Sequence, residues 1–242
     1  MWGGGDHKLI TGYVLKADVK HYFETVDHKI LLDIIKRKVK CYKTIWLISN
    51  ILNNYKSEIK RKGMPLGNLT SQFFANTYLN ELDQFVKHNL KARYYIRYVD
   101  DFAILHKYKR PLEKYKKKIN DFLKDELLLE LHPGKSKIIR LKQGINFLGQ
   151  RIFYYHKLIR KTNLRKMQRK LDSYKREYDM TLIDYDKIFE FLQGWCAYAK
   201  HANTYKLRNN LSKKIELYFP RAVSTIEINR LLKNSKKEKK IN

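Results

Sequence analysis

Two aspartates stand side by side in "YYIRYVDDFAILH", residues 94–106, between two apolar runs of β-favouring residues. A random Asp-Asp pair reads as a solvated hairpin turn. The favoured two-residue hairpin turns, however, use Asn-Gly or Asp-Gly to reach positive φ, and there is no glycine here. Carboxylates crowded in a partly buried site raise one another's pKa unless a cation neutralises them. Oxygen ligands of this kind suit magnesium, or manganese in its place, and a two-metal site activates an attacking hydroxyl while stabilising the leaving oxygen of a phosphate displacement. Asp18, closing "GYVLKAD", is the third candidate ligand beside Asp100 and Asp101. A nuclease uses the same three acids, so they indicate metal-assisted phosphate chemistry without choosing the reaction.

The elements that must position these acids can be read from periodicity. A strand through Tyr13, Val14 and Leu15 ends at Asp18, and "DHKILLDIIKRKV" repeats apolar residues at helical spacing after an Asp27 cap. A second helix covers "YKTIWLISNILNNY", followed by the basic, glycine-broken "KSEIKRKGMPLGN". From Thr70, with Asn68 or Thr70 as cap, Phe73, Phe74, Tyr78, Leu79, Leu82, Phe85, Val86 and Leu90 mark one side of a long helix. Pro111 suits the first turn of a helix whose Leu112, Tyr115, Ile119, Phe122 and Leu123 face inward. "KIIRLKQGINFLGQRIFYYHKLIRK" alternates, predicting a strand pair turning at Gln143-Gly144, a third short strand, and completion of the sheet. After Asn163 the chain reads as helical and basic. This order fits an α+β domain with an antiparallel sheet whose edge gathers the three acids.

Lysine and arginine number 52 against 24 acids, a formal net charge of +28, which calls for an anionic partner. The basic residues run throughout the chain and not along one amphipathic helix, favouring nucleic acid over a membrane surface. No signal peptide and no spanning stretch is visible, so a cytoplasmic protein is expected. Cys41 and Cys196 lie outside any CxxC spacing and read as buried small hydrophobes.

Taken together, five segments from 14 to 153 resemble reverse transcriptases, in particular bacterial ones related to group II intron and diversity-generating retroelement enzymes. "YVDD" at 98–101 resembles the family's catalytic box, and "LKADVKHYFETVDH" its first aspartate motif. "GMPLGNLTSQFFANTYLNELD" is similar to the nucleotide-pocket motif, while "LHPGKSKI" and "FLGQRIF" resemble the lysine and primer-grip motifs. "LQGWCAYAKHANTYKLRNNL" resembles the thumb. The resemblance implies a right-hand polymerase palm with an antiparallel sheet plus a small all-α thumb. The expected division is palm with partial fingers over 1–156, helical thumb over 157–220 and a basic tail over 221–242.

By the same resemblance Asp18 and Asp100 would ligate both metals, Asp101 would complete the cluster and the Val19 carbonyl would help hold the nucleotide-bound metal. Phe23 would lie under the sugar and exclude a 2′-hydroxyl, its other reading being a core phenylalanine. Lys135 would neutralise or protonate the pyrophosphate leaving group, unless it is an ordinary surface lysine. Leu66, Gly67 and Gln72 would line the nucleotide pocket. Leu148 and Gly149 would form the primer grip, where glycine lets a strand approach, although a bulge would use it equally. The implied partners are an RNA template, a DNA or RNA primer and deoxynucleoside triphosphates.

Two features depart from the group II pattern. Leu66 replaces the usual amide beside the nascent pair, with Ser71-Gln72 after it, a form that resembles diversity-generating retroelement enzymes and implies relaxed fidelity, above all opposite template adenine. Only 17 residues precede Asp18, too few for the upstream fingers motifs, so a fragment, a split gene, a complementing fingers segment or an accessory protein is expected. The competing classes are a catalytically weak or inactive RNA-binding scaffold of the maturase kind and a metal-dependent nuclease. The nuclease accounts for the acids but not for Phe23, "PLGNLTSQ" or "FLGQ".

Overall fold

The computed structural model describes residues 11–55, 59, 61–65 and 67–219. Leu66 and the tail expected at 221–242 lie outside the described residues. The chain divides into two compact units, 1–143 and 144–242.

In the first unit, β1 (Tyr13–Asp18) is followed by the short α1 (Tyr22–Thr25), α2 (His28–Lys38) and α3 (Tyr42–Asn53). Asp27 caps α2 as expected, accepting from the backbone N–H of Lys29 at 2.9 Å and Ile30 at 3.2 Å. Then come α4 (Leu69–Gln84), capped by Asn68, and a π-helical turn over Phe85–Asn89. The hairpin β2 (Tyr94–Tyr98) and β3 (Asp101–His106), then α5 (Lys109–Leu127) and β4 (Lys137–Arg140), complete the unit.

The sheet is antiparallel with order β2-β3-β1-β4. Alternation decides its faces. Leu15, Ala17, Phe102 and Ile104 join Phe74, Tyr78, Leu79, Leu82, Leu112, Ile119 and Leu123 in one core, so α4 and α5 cover that side. The buried tyrosines of this core keep hydroxyl partners: Tyr22 donates to the Ala75 carbonyl at 2.6 Å and Tyr78 to that of Leu127 at 2.7 Å. Phe73, expected on the inner side of α4, is 63% exposed. It adjoins Phe74 in sequence, and successive helical positions face different ways, so only Phe74 reaches the core.

The second unit opens with a small antiparallel meander, β5 (Ile145–Phe147), β6 (Gln150–Ile152) and β7 (Lys157–Ile159). Helices α6 (Lys161–Asp179), α7 (Tyr185–Ala199) and α8 (Tyr205–Tyr218) follow, packing through Met167, Leu171, Ile188, Leu192, Trp195 and Ile215. The hairpin expected at Gln143-Gly144 is therefore not formed. The segment 137–140 pairs instead with the otherwise open side of β1, satisfying its ladder, and the first turn of the meander falls at Leu148-Gly149. The alternating strands thus belong to two sheets and not one.

Cys41 also departs from expectation: it is exposed at the N-cap of α3, where the chain still faces solvent, while Cys196 is buried in the helical core. Among the described residues no helix is long and apolar enough to cross a membrane.

Candidate active site

Asp18 and Asp101 are direct partners in the β1–β3 register, and Asp100 occupies the two-residue turn that joins β2 to β3. Sequence positions more than eighty residues apart therefore meet at the ends of the two central strands, not at an outer edge of the sheet. Val14, Lys16 and Asp18 share the face opposite the helices, with Leu105, Ala103 and Asp101 across from them.

The turn itself is strained. Val99 has φ 54, a left-handed conformation that a β-branched residue rarely adopts. Positive φ at only the first turn position is the type II′ pattern, in which glycine is the usual occupant. The backbone N–H of Val19, just past the end of β1, donates to the Asp100 carbonyl at 3.2 Å and fastens the turn to the neighbouring strand.

The loop carrying "HPGKS" crosses the end of β1. His132 N–H donates to the Asp18 carbonyl at 2.7 Å, and the Ser136 hydroxyl lies 3.4 Å from both the Asp18 amide and carbonyl. The His132 ring accepts from the Gly134 and Lys135 amides, shaping the bend that presents Lys135. Lys135 Nζ then reaches both Asp18 oxygens, at 3.2 and 3.3 Å. Lys16 Nζ sits 3.0 Å from Asp101 Oδ1, but off the hydrogen-bonding direction, so this buried oxygen has no hydrogen-bond partner among the described residues. Burial pushes the Asp100 carboxyl above the ordinary carboxylate range; Asp18 and Asp101 add to the rise, and Lys135 opposes it.

The donor set fits a hard divalent cation: three carboxylates, one with a buried oxygen that has no hydrogen-bond partner among the described residues and one whose carboxyl is pushed above the ordinary range by burial. In the arrangement seen, no three His, Cys, Asp or Glu side chains among the described residues are gathered as a metal cage. Lys135 pairs with Asp18 and Lys16 with Asp101, two separate ion pairs.

Phe23, on α1, is half-buried and packs edge-on against Tyr22, with ring centres 5.5 Å apart. Its carbonyl accepts from Met64 N–H at 2.7 Å, and the Tyr22–Ala75 bond ties α1 to α4, which carries Gln72. Gln72 is exposed, and Gly67 lies in the turn before α4 with φ +87 and open space around it. Within the second unit, Leu148 and Gly149 both have positive φ, 47 and 79, as a type I′ turn requires. The Gly149 carbonyl accepts from Tyr198 Oη at 2.9 Å and Asn163 Nδ2 at 3.3 Å. Glycine is needed there, because a Cβ would stand 2.9 Å from that tyrosine oxygen.

The sequence reading did not single out Lys16, Arg97, His132 or Ser136. Lys16 carried a signal, since two positions before Asp18 on a strand is the same face. Arg97 carried another, as a charged residue inside an otherwise apolar hairpin strand.

Residues 7–152 match the family described as reverse transcriptase (RNA-dependent DNA polymerase), and the chain belongs to that family. Among curated relatives it is 26% identical over 186 residues to Protein YkfC of Escherichia coli (strain K12), covering 62% of this chain and 47% of that protein. It is 28% identical over 135 residues to the group II intron-encoded protein LtrA of Lactococcus lactis subsp. cremoris, covering 52% of this chain and 22% of that one. The matched region thus spans less than half the length of either relative. A solved telomerase from Candida albicans, in complex with a fragment of telomeric RNA, is similar over 93% of this chain and 51% of its own, with 10% identity and a TM-score of 0.47.

Proposed function

We propose that the chain is an RNA-directed DNA polymerase, with 1–156 as palm, 157–220 as thumb and Asp18, Asp100 and Asp101 as its acidic centre. The observation that carries this reading is the register of Asp18 against Asp101 with Asp100 in the adjoining turn, inside a chain of the reverse transcriptase family. Asp18, Asp100, Asp101 and the Val19 carbonyl are the groups that would hold two magnesium ions, with manganese as a substitute. Bound there, the metals supply activation of the primer 3′-hydroxyl and neutralisation of charge on the triphosphate.

The remaining roles fall to the protein. Lys135, which pairs with Asp18, would neutralise or protonate the departing pyrophosphate. Phe23 supports the sugar and selects deoxynucleotides, while Leu66, Gly67 and Gln72 border the base. Leu148 and Gly149 guide the primer strand. The net charge of +28 holds template and primer by phosphate contacts, so binding weakens steeply with salt. The aliphatic Leu66 supports relaxed fidelity opposite template adenine, as in diversity-generating retroelement enzymes, with a cytoplasmic setting and an accessory protein or fingers segment as further parts of the same reading.

Primer extension on RNA and DNA templates with magnesium, using Asp100→Asn as control, tests this. Extension that disappears in the variant supports the polymerase, and a shortened primer supports a nuclease. RNA binding without extension supports a scaffold, a reading favoured by one observation, the lysines seated on Asp18 and Asp101. Sequencing the products tests fidelity: uniformly low error at all four template bases removes the adenine bias.

A further inference from the structure

We propose that Arg97 is a positioning residue that clamps the Val99-Asp100 turn and thereby aims the Asp100 carboxylate. β2 presents Tyr94, Ile96 and Tyr98 on one face, each more than half exposed, and turns Tyr95 and Arg97 towards α4. There Asp83 receives a forked ion pair, Nε to Oδ1 at 2.8 Å and Nη2 to Oδ2 at 2.5 Å, and the Tyr95 hydroxyl adds a third bond at 2.6 Å. The fork leaves Nη1 facing forward. It donates to the Val99 carbonyl at 2.9 Å and lies 3.3 Å from Asn76 Oδ1.

The consequence lies in the peptide planes. Asp100 is flanked by two of them: the Val99 carbonyl belongs to the plane before it, the Asp100 carbonyl to the plane after it. Arg97 holds the first and the Val19 N–H holds the second, at 3.2 Å. With both planes fixed, the Cα–Cβ direction of Asp100 is fixed as well. A clamp is needed because Val99 is held at φ 54, and a β-branched residue freed from its partners relaxes to negative φ and swings the following peptide. Lysine cannot replace this clamp: one ammonium has no planar fork to grip Asp83 while reaching the turn. The Arg97 side chain is 9% exposed and its hydrogen bonds go to Asp83, Asn76 and the Val99 carbonyl, so its effect on Asp100 passes through Val99.

The catalytic part of this inference rests on the polymerase reading; the structural part does not. Arg97→Lys, Asp83→Asn and the double variant Arg97→Lys/Val99→Gly are compared with wild type by primer extension, by manganese titration and by hydrogen exchange across residues 98–101. Arg97→Lys and Asp83→Asn are expected to lower kcat on the order of 100-fold, the scale of a small misplacement of a reacting group, with KM for the nucleotide little altered. Manganese binding weakens and exchange at the turn speeds up. Glycine accepts positive φ without a clamp, so Val99→Gly on the Arg97→Lys background recovers at least ~10-fold of the rate. If turn exchange and manganese affinity stay at wild-type values in Arg97→Lys, or glycine gives no recovery of a lost rate, the clamp is overturned. Wild type that extends no primer overturns the polymerase reading instead, and the exchange data still decide the clamp.

Discussion

Lys135 holds both carboxylate oxygens of Asp18, at 3.2 and 3.3 Å, and so occupies the position from which that acid would meet a metal. On the two-metal reading the lysine is a counterion that a divalent cation would displace. Lys135→Ala should therefore lower the magnesium concentration giving half-maximal extension. It should also slow the maximal rate by ~100-fold, the usual contribution of a placed general acid. Magnesium titrations of both proteins at saturating nucleotide check the two directions, and a higher magnesium requirement would contradict the displacement.

Asp100 has its carboxyl pushed up by burial first and by Asp18 and Asp101 next. A raised folded-state pKa means that the folded protein binds this proton more tightly than the unfolded chain. Its stabilising share is present below the ordinary carboxylate pKa of about 4 and is lost as pH rises through the raised value. Asp100→Asn should thus melt higher than wild type at pH 7 without metal, and the advantage should vanish near pH 3. Magnesium should raise the melting temperature of wild type and leave the variant nearly unmoved. Calorimetry at the two pH values with and without magnesium measures this.

Lys16 supplies the only cation beside the buried Asp101 oxygen among the described ion pairs. Its side chain is 19% accessible and that of Asp101 22%, so salt screens the pair weakly. Lys16→Met would leave the carboxylate uncompensated and should cost about 1–3 kcal/mol of folding stability. Denaturant unfolding checks the loss, and magnesium should restore part of it.

Phe23→Val should widen the space assigned to the sugar. The ratio of kcat/KM for deoxynucleotides over ribonucleotides is expected to fall ~10- to 100-fold, the range for loss of a steric contact. Single-nucleotide incorporation measures it, and an unchanged ratio would return Phe23 to a packing role.

Gly149→Ala should destabilise the second unit by about 1–2 kcal/mol, the cost of a left-handed backbone with a Cβ. The new methyl also meets Tyr198 Oη at 2.9 Å and disturbs its bond to the Gly149 carbonyl. Denaturant unfolding followed through the second unit reads the effect.

Much of this was legible from spacing. The Asp27 cap, the ends of β1 and the "YYIRY"/"DFAILH" hairpin follow from local chemistry, and local chemistry is what a sequence displays. The pairing of "KIIR" with β1 was not legible, because Tyr13 and Arg140 are distant in the chain and alternation does not name a partner. The same holds for the lysines on the acids. Lys135 was visible as a candidate from its motif, but its contact with Asp18 depends on a bend shaped by His132 and Ser136. Leu148 at φ 47 also escaped notice, since a leucine seldom signals a left-handed turn.

Among the described residues the two hydrophobic cores share none, one drawn from 13–138 and the other from 159–219. If each core loses its packing as its own cooperative block, heating should yield two overlapping endotherms, and differential scanning calorimetry checks it. A single midpoint would then describe neither block. Shifts caused by Lys16→Met and Gly149→Ala should appear in different endotherms of the same scan.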